Sequence, residues 1–239
     1  VTRSYVRDKT TMFFTFAFPL MFLVAFGLAF GKQVAGTGHV IDYTAPGVMA
    51  WGVGNAALFG VAYTLMHWRN SDLLRLIRLT PTPLSALLLG RYLPAVAIAL
   101  AQAVFFVGIA VLPAFGLHVA ATTPLALPVL LAGVTAFFAL GALVGTHATS
   151  SEAIAAIANS IMVPMAFLSG AFYPISQSPA WLQDFSRALP LRYLIDGVSA
   201  QLTGTGTPGG ALAATGVLLG FAAVFLALAA RTFRWSGAA

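Results

Sequence analysis

Arg69-Asn-Ser-Asp-Leu-Leu-Arg-Leu-Ile-Arg78 is the charge-rich internal stretch of an otherwise apolar chain, and its residue types suit mechanical contact better than covalent catalysis. Ser71 can cap a short helix here, Asp72 favours the positive N-terminal end, Arg75 and Arg78 lie toward the negative end, and Pro81 stops it. Leu73, Leu74 and Ile77 then share one face. Two readings fit this pattern. An amphipathic helix joined rigidly to two membrane spans transmits force from a soluble partner, whereas arginines at the same place also anchor a loop to anionic headgroups.

Polar groups inside the apolar runs form a second set. Trp51, Asn55, Phe59 and Tyr63 recur every fourth residue and cover one broad helix face; Asn159, Met162, Met165, Ser169 and Phe172 make a comparable face beside Pro164. Flexible methionines and planar rings adapt to varied apolar ligands while a few amides orient them, so these faces are candidates for a substrate path. The same residues equally suit helix packing with an interhelical amide bond. Thr149-Ser-Ser-Glu152 has capping-box spacing, with Thr149 as the cap and Glu152 reaching back, although an acidic group on a membrane helix also suits proton relay. Gly141 and Gly145 form a GxxxG pattern that permits close helix contact.

Catalytic chemistry is poorly represented. The absence of cysteine excludes disulfides, thiol nucleophiles and Cys-ligated metals. His39 and His118 have no metal-ligand spacing around them, and Gly31-Lys32 lacks the rest of a phosphate-binding loop. Catalytic, cofactor-binding and metal-binding residues are therefore all expected to be none, and the chain itself is not expected to be an enzyme.

The elements that must position these residues are membrane spans. Of 239 residues 59% are hydrophobic and 8% charged, with a mean hydropathy of +0.91, against roughly 25% charged in an ordinary soluble domain. With about 20 apolar residues per span, six are expected: Met12–Phe30, Gly47–Met66, Tyr92–Ala114, Leu125–Gly145, Ala153–Phe172 and Ala211–Ala230. The first reads as an uncleaved anchor rather than a signal peptide. Both termini inside puts Arg3, Arg7, Lys9, Arg69, Arg75, Arg78, Arg91, Arg231 and Arg234 on the cytoplasmic side, leaving only Lys32, Arg187 and Arg192 outside. The net charge of +6 thus orients the chain in a membrane, and scattered basic residues give no nucleic-acid patch. Residues 1–239 read as one all-α domain.

Between the fifth and sixth spans the chain runs Leu168-Ser-Gly-Ala-Phe-Tyr-Pro174, then a short amphipathic helix, then Leu189-Pro-Leu-Arg-Tyr193. Trp181, Leu182, Phe185 and Leu189 fall on one side of that helix and Gln183, Asp184 and Arg187 elsewhere, as in an interfacial or re-entrant segment. The words Ser-Gly-Ala-Phe-Tyr-Pro and Leu-Pro-Leu-Arg-Tyr resemble the signature of ABC-2 type transporter permeases, and Arg69 followed by an amphipathic segment and Leu79-Thr-Pro81 resembles their cytosolic loop. The usual Gly-Thr-Leu-Glu after that arginine reads Asn-Ser-Asp-Leu here.

The resemblance implies the permease subunit of a bacterial exporter for drug, lipid or polysaccharide, in the plasma membrane with both termini cytoplasmic. It implies a second permease subunit, the same or different, and separate ATP-binding cassette subunits that hold the ATP and Mg. Arg69, Asp72, Leu74, Arg75 and Arg78 would contact the ATPase; Asn55, Phe59, Asn159, Met162, Met165 and Ser169 would line the path; Phe172, Tyr173, Pro174, Trp181 and Phe185 would form an external gate. A membrane enzyme or assembly factor is the rival, with Asp184, Arg187, Arg192 and Asp196 as its small polar set, and a secondary transporter is a third possibility with only Glu152 near a membrane core.

Overall fold

The computed structural model describes residues 40–71, 84–113, 117 and 119–232, with scattered positions between Phe13 and Ala25. Asp72, Leu74, Arg75 and Arg78 lie outside the described residues, as do His39, His118 and most of the first expected span. Among the described residues all regular structure is helical: α1 (Val40–Asn70), α2 (Leu84–Ala110), α3 (Ala126–His147), α4 (Ser151–Leu168), α5 (Ala180–Ser186), α6 (Pro190–Thr203) and α7 (Pro208–Thr232), with 3-10 turns at Thr123–Leu125 and Ile175–Gln177. Five of these helices, α1, α2, α3, α4 and α7, are long and apolar enough to cross a membrane. They correspond to the second through sixth expected spans, and their ends differ from expectation by up to eight residues (Leu84 against Tyr92).

Packing ranks the helices. Some 72% of the most apolar stretch of α3 and 67% of that of α1 are buried, against 28% for α2 and α4 and 22% for α7. The α1–α3 pair is therefore the hub, and the other spans lay one face on it. Gly141 and Gly145 allow this contact, as their spacing predicts. A Cβ on Gly141 would meet the Leu58 carbonyl, and one on Gly145 would lie 2.8 Å from the Ala62 carbonyl and 3.0 Å from its Cα. Backbone on both sides leaves no side chain to move aside. α7 uses Ala211, Ala214, Leu218 and Ala222 as its buried stripe.

The helix α4 ends at the expected small-residue break in a left-handed turn. Gly170 has φ +76°, Ala171 donates to the Ala166 carbonyl at 2.9 Å and Gly170 to the Phe167 carbonyl at 3.3 Å. This is the paired hydrogen-bond arrangement of a Schellman motif. The amphipathic segment beyond it departs from expectation. Its first helix, α5, is only seven residues long, and Pro190 starts a second helix, α6, which no expected element covered. At about 21 Å, α6 is too short to span a hydrocarbon core of about 30 Å. Leu191, Leu194, Ile195, Val198 and Leu202 form its buried stripe and pack it into the ends of α1, α3 and α7.

The start of α4 also needs a correction. Its cap is Ser150, not Thr149: Ser150 has extended backbone and its Oγ accepts from the Ala153 amide at 3.2 Å. Thr149 instead offers its carbonyl to Asn70. The adjacent hydroxyls are both good cap types, and the one on the last extended residue before the helix, Ser150, is the one that reaches the Ala153 amide.

Candidate functional site

Two ends of the α1–α3 hub carry the polar chemistry. At one end, α1 finishes with Arg69 and Asn70. Arg69 Nη1 donates toward the carbonyls of Gly145 (3.2 Å), Thr146 (2.5 Å) and Ala148 (3.4 Å), the open last turn of α3. Asn70 Nδ2 donates to Thr149 O at 3.0 Å. Beneath these bonds Ala62, Met66, Val144, Ala148 and Ile154 form a buried cluster joining α1, α3 and α4. The Arg91 guanidinium lies 5.4 Å over the Trp68 ring and ties α2 to the same end. Of the five residues expected in the coupling set only Arg69 is described. Its guanidinium is engaged with α3 carbonyls.

At the opposite end, Tyr43 donates to the Gly170 carbonyl, and Arg192 Nε lies 2.5 Å from Asp196 Oδ2. Burial pushes the Asp196 carboxyl above its ordinary range, and the neighbouring Arg192 charge pulls it back. Gln201 is fully buried; its Nε2 donates to Thr207 O at 3.1 Å, and Thr122 Oγ1 donates to the Gln201 carbonyl at 2.8 Å. These bonds staple the loop before α3 to the turn between α6 and α7. Arg192 and Asp196 are visible in sequence as charges, but Tyr43 and Gln201 carry no local signal because their partners are 127 and 79 positions away or lie in a turn.

The residues expected along a path divide by environment. Asn159 is exposed, on a strip of α4 with Ser160, Val163 (43% exposed) and Phe167 (52%). Asn55 and Phe59 are half-buried on α1, with Asn55 Nδ2 bonded to Trp51 O at 3.0 Å and Phe59 stacked on Tyr63 at 5.8 Å between centroids. Met162, Met165 and Ser169 are buried within the chain, Ser169 Oγ having no hydrogen-bond partner among the described residues. The two helices thus present Asn55, Phe59 and Asn159 toward accessible surface and keep the other three inside.

The expected gate residues also separate. Phe172 is buried in an aromatic cluster with Phe22 (5.5 Å), Trp51 (5.6 Å) and Phe167 (5.2 Å). Tyr173 is half-buried and donates to Phe167 O at 2.6 Å, and Pro174 caps the 3-10 turn that follows. Trp181 and Phe185 project outward at 67% and 51% exposure, one helical turn apart on α5. Among the described residues no group of three or more His, Cys, Asp and Glu is arranged to hold a metal ion.

Similarity to known proteins agrees with this architecture. Residues 1–203 match the family model for the ABC-2 type transporter. The chain is also 29% identical over 191 residues to Nodulation protein J of Rhizobium meliloti (strain 1021), an alignment covering 78% of this chain and 72% of that protein. With five apolar helices of spanning length and the family model covering most of its length, the chain is a multi-pass membrane protein that belongs to the ABC-2 type transporter family.

Proposed function

We propose that this chain is the membrane permease subunit of an ATP-binding cassette exporter, working as a pair of permeases with two separate ATPase subunits in a bacterial plasma membrane. The family match over residues 1–203 carries the reading. The family match supports ATP and Mg being held by a separate partner, and the basic-residue asymmetry supports six spans with both termini and the Arg69 end in the cytoplasm. Closure of the ATPase dimer pushes on the 69–79 segment, the spans exchange between two conformations of different affinity, and a hydrophobic or amphipathic substrate leaves at the Arg192 end. Asn55, Phe59 and Asn159 are the path residues best supported by their accessibility, and Trp181 and Phe185 the gate residues.

The test is reconstitution with a cassette ATPase in vesicles, following substrate-stimulated ATP hydrolysis and accumulation of apolar compounds. Transport that persists without the ATPase, under an ion gradient alone, would reject the reading in favour of a secondary transporter.

A further inference from the structure

We propose that Arg69 and Asn70 are positioning residues that lock the root of α4 to the end of α1, so that a push on the chain just beyond Asn70 is delivered to α4. The proposal rests on the exporter reading and assigns Arg69 a different task from direct contact with the ATPase. Its Nη1 is committed to the Gly145, Thr146 and Ala148 carbonyls, so this half-buried guanidinium is turned toward the end of α3. A cation at that place also complements the negative end of α3.

The neighbouring side chain extends the lock by one link. Asn70 holds Thr149 O, and the next residue, Ser150, caps α4 through the Ala153 amide. Residues 145–150 are therefore gripped from α1 on one side and tied into α4 on the other. Slippage beneath the grip is blocked, because Gly145 already touches the Ala62 backbone and Ile154 is fully buried in the shared cluster. Farther along, α4 lays one stripe, Ala158, Met162, Met165 and Ala166, on the core and leaves its other faces exposed, with 28% of its apolar stretch buried against 72% for α3. With the root held by Arg69 and Asn70, the shaft by that stripe and the far end by the Tyr43–Gly170 bond, α4 is made to follow α1.

The test uses the naturally cysteine-free chain, labelled with nitroxides on cysteines replacing His67 and Glu152, both exposed and on opposite sides of the lock, and then assembled with the cassette ATPase. In the intact background their distance should be the same in the nucleotide-free and ATP-trapped states. Arg69→Gln combined with Asn70→Ala should broaden the distribution, make it nucleotide-dependent, and lower transport per ATP hydrolysed by at least about fivefold, the scale of a typical coupling energy. Arg69→Lys, which keeps a donor, should recover most of that ratio. A 67–152 distance that changes with nucleotide in the intact background, or unchanged transport per ATP in the double variant, overturns the lock while leaving the exporter reading standing. Failure of the wild-type chain to assemble with a cassette ATPase overturns the exporter reading and the coupling role with it.

Discussion

Tyr43 in the first turns of α1 donates its phenolic hydrogen to the carbonyl of Gly170, the left-handed residue that ends α4, and so holds two distant parts of the chain together at one end of the bundle. A buried carbonyl that loses its donor costs about 1–3 kcal/mol. Tyr43→Phe should lower the unfolding midpoint in detergent accordingly. Gly170→Ala should do so as well, because an L side chain is strained at φ +76° and the new Cβ would lie 2.9 Å from the Tyr43 hydroxyl oxygen. Wild-type midpoints for both variants would remove this bond from the account of how α1 and α4 are joined.

Close packing of α1 on α3 predicts opposite outcomes for glycines of one residue type. Gly141→Ala drives a methyl into the Leu58 backbone and should cost about 1–3 kcal/mol, the range for overpacked cores. Gly216→Ala and Gly220→Ala meet nothing within 4 Å and should be neutral or gain up to about 1 kcal/mol from helix propensity. Thermal unfolding of the three variants side by side decides it, and equal effects would show that helix propensity rather than contact controls them.

The second through sixth spans were legible because a bilayer demands a length of apolar sequence that few other structures need, and the GxxxG pair was legible because only small residues permit that approach. The helix α6 was not. Its 14 residues are too few for a span, and its stripe of Leu191, Leu194, Ile195, Val198 and Leu202 is broken by Arg192, Asp196 and Gln201. Pro190 at its first turn and left-handed Gly204 at its end were the available signals. The cap at Ser150 was missed by one residue because adjacent hydroxyls satisfy the same local rule, and the backbone conformation that separates them is not written in the residue types.

Asp196 makes stability depend on pH in a definite direction. Burial raises its folded value above the unfolded one, so the folded chain holds the proton more tightly. Below the unfolded value the carboxyl is neutral in both states and adds no penalty; as pH rises through the folded value the cost of a partly desolvated charge, moderated by the 48% exposure of the side chain, is imposed. Asp196→Asn, which stays neutral, should therefore improve relative to wild type as pH rises from about 4 to 7. Unfolding midpoints of the two proteins across that range check it, and a constant difference would mean that the Arg192 pair cancels the burial cost at every pH.

Orientation is open to a direct test because the natural chain has no cysteine. A single cysteine at Ser176, exposed beside α5, should react with an impermeant thiol reagent added to intact cells, while one at Ser71 should react only after permeabilisation. Reversed labelling would turn the Arg69 end outward and end its role as the ATPase side.

Asn159 and Met162 sit one helical turn apart on α4 but in opposite surroundings, exposed and fully buried, so they separate a path role from a packing role. Truncating Met162 leaves a void in the core, and Met162→Ala should cost about 2–5 kcal/mol, reducing the amount of folded complex and every substrate in proportion. Asn159→Ala removes an amide from an accessible strip and leaves no void. Folding should be preserved, while the ranking of compounds shifts, those with hydrogen-bonding groups losing about tenfold relative to hydrocarbons if one polar contact is lost. Vesicle transport of a graded series, normalised to assembled complex, gives the answer: equal losses for every compound with Asn159→Ala would place that face in a subunit or lipid contact instead of along the substrate's route.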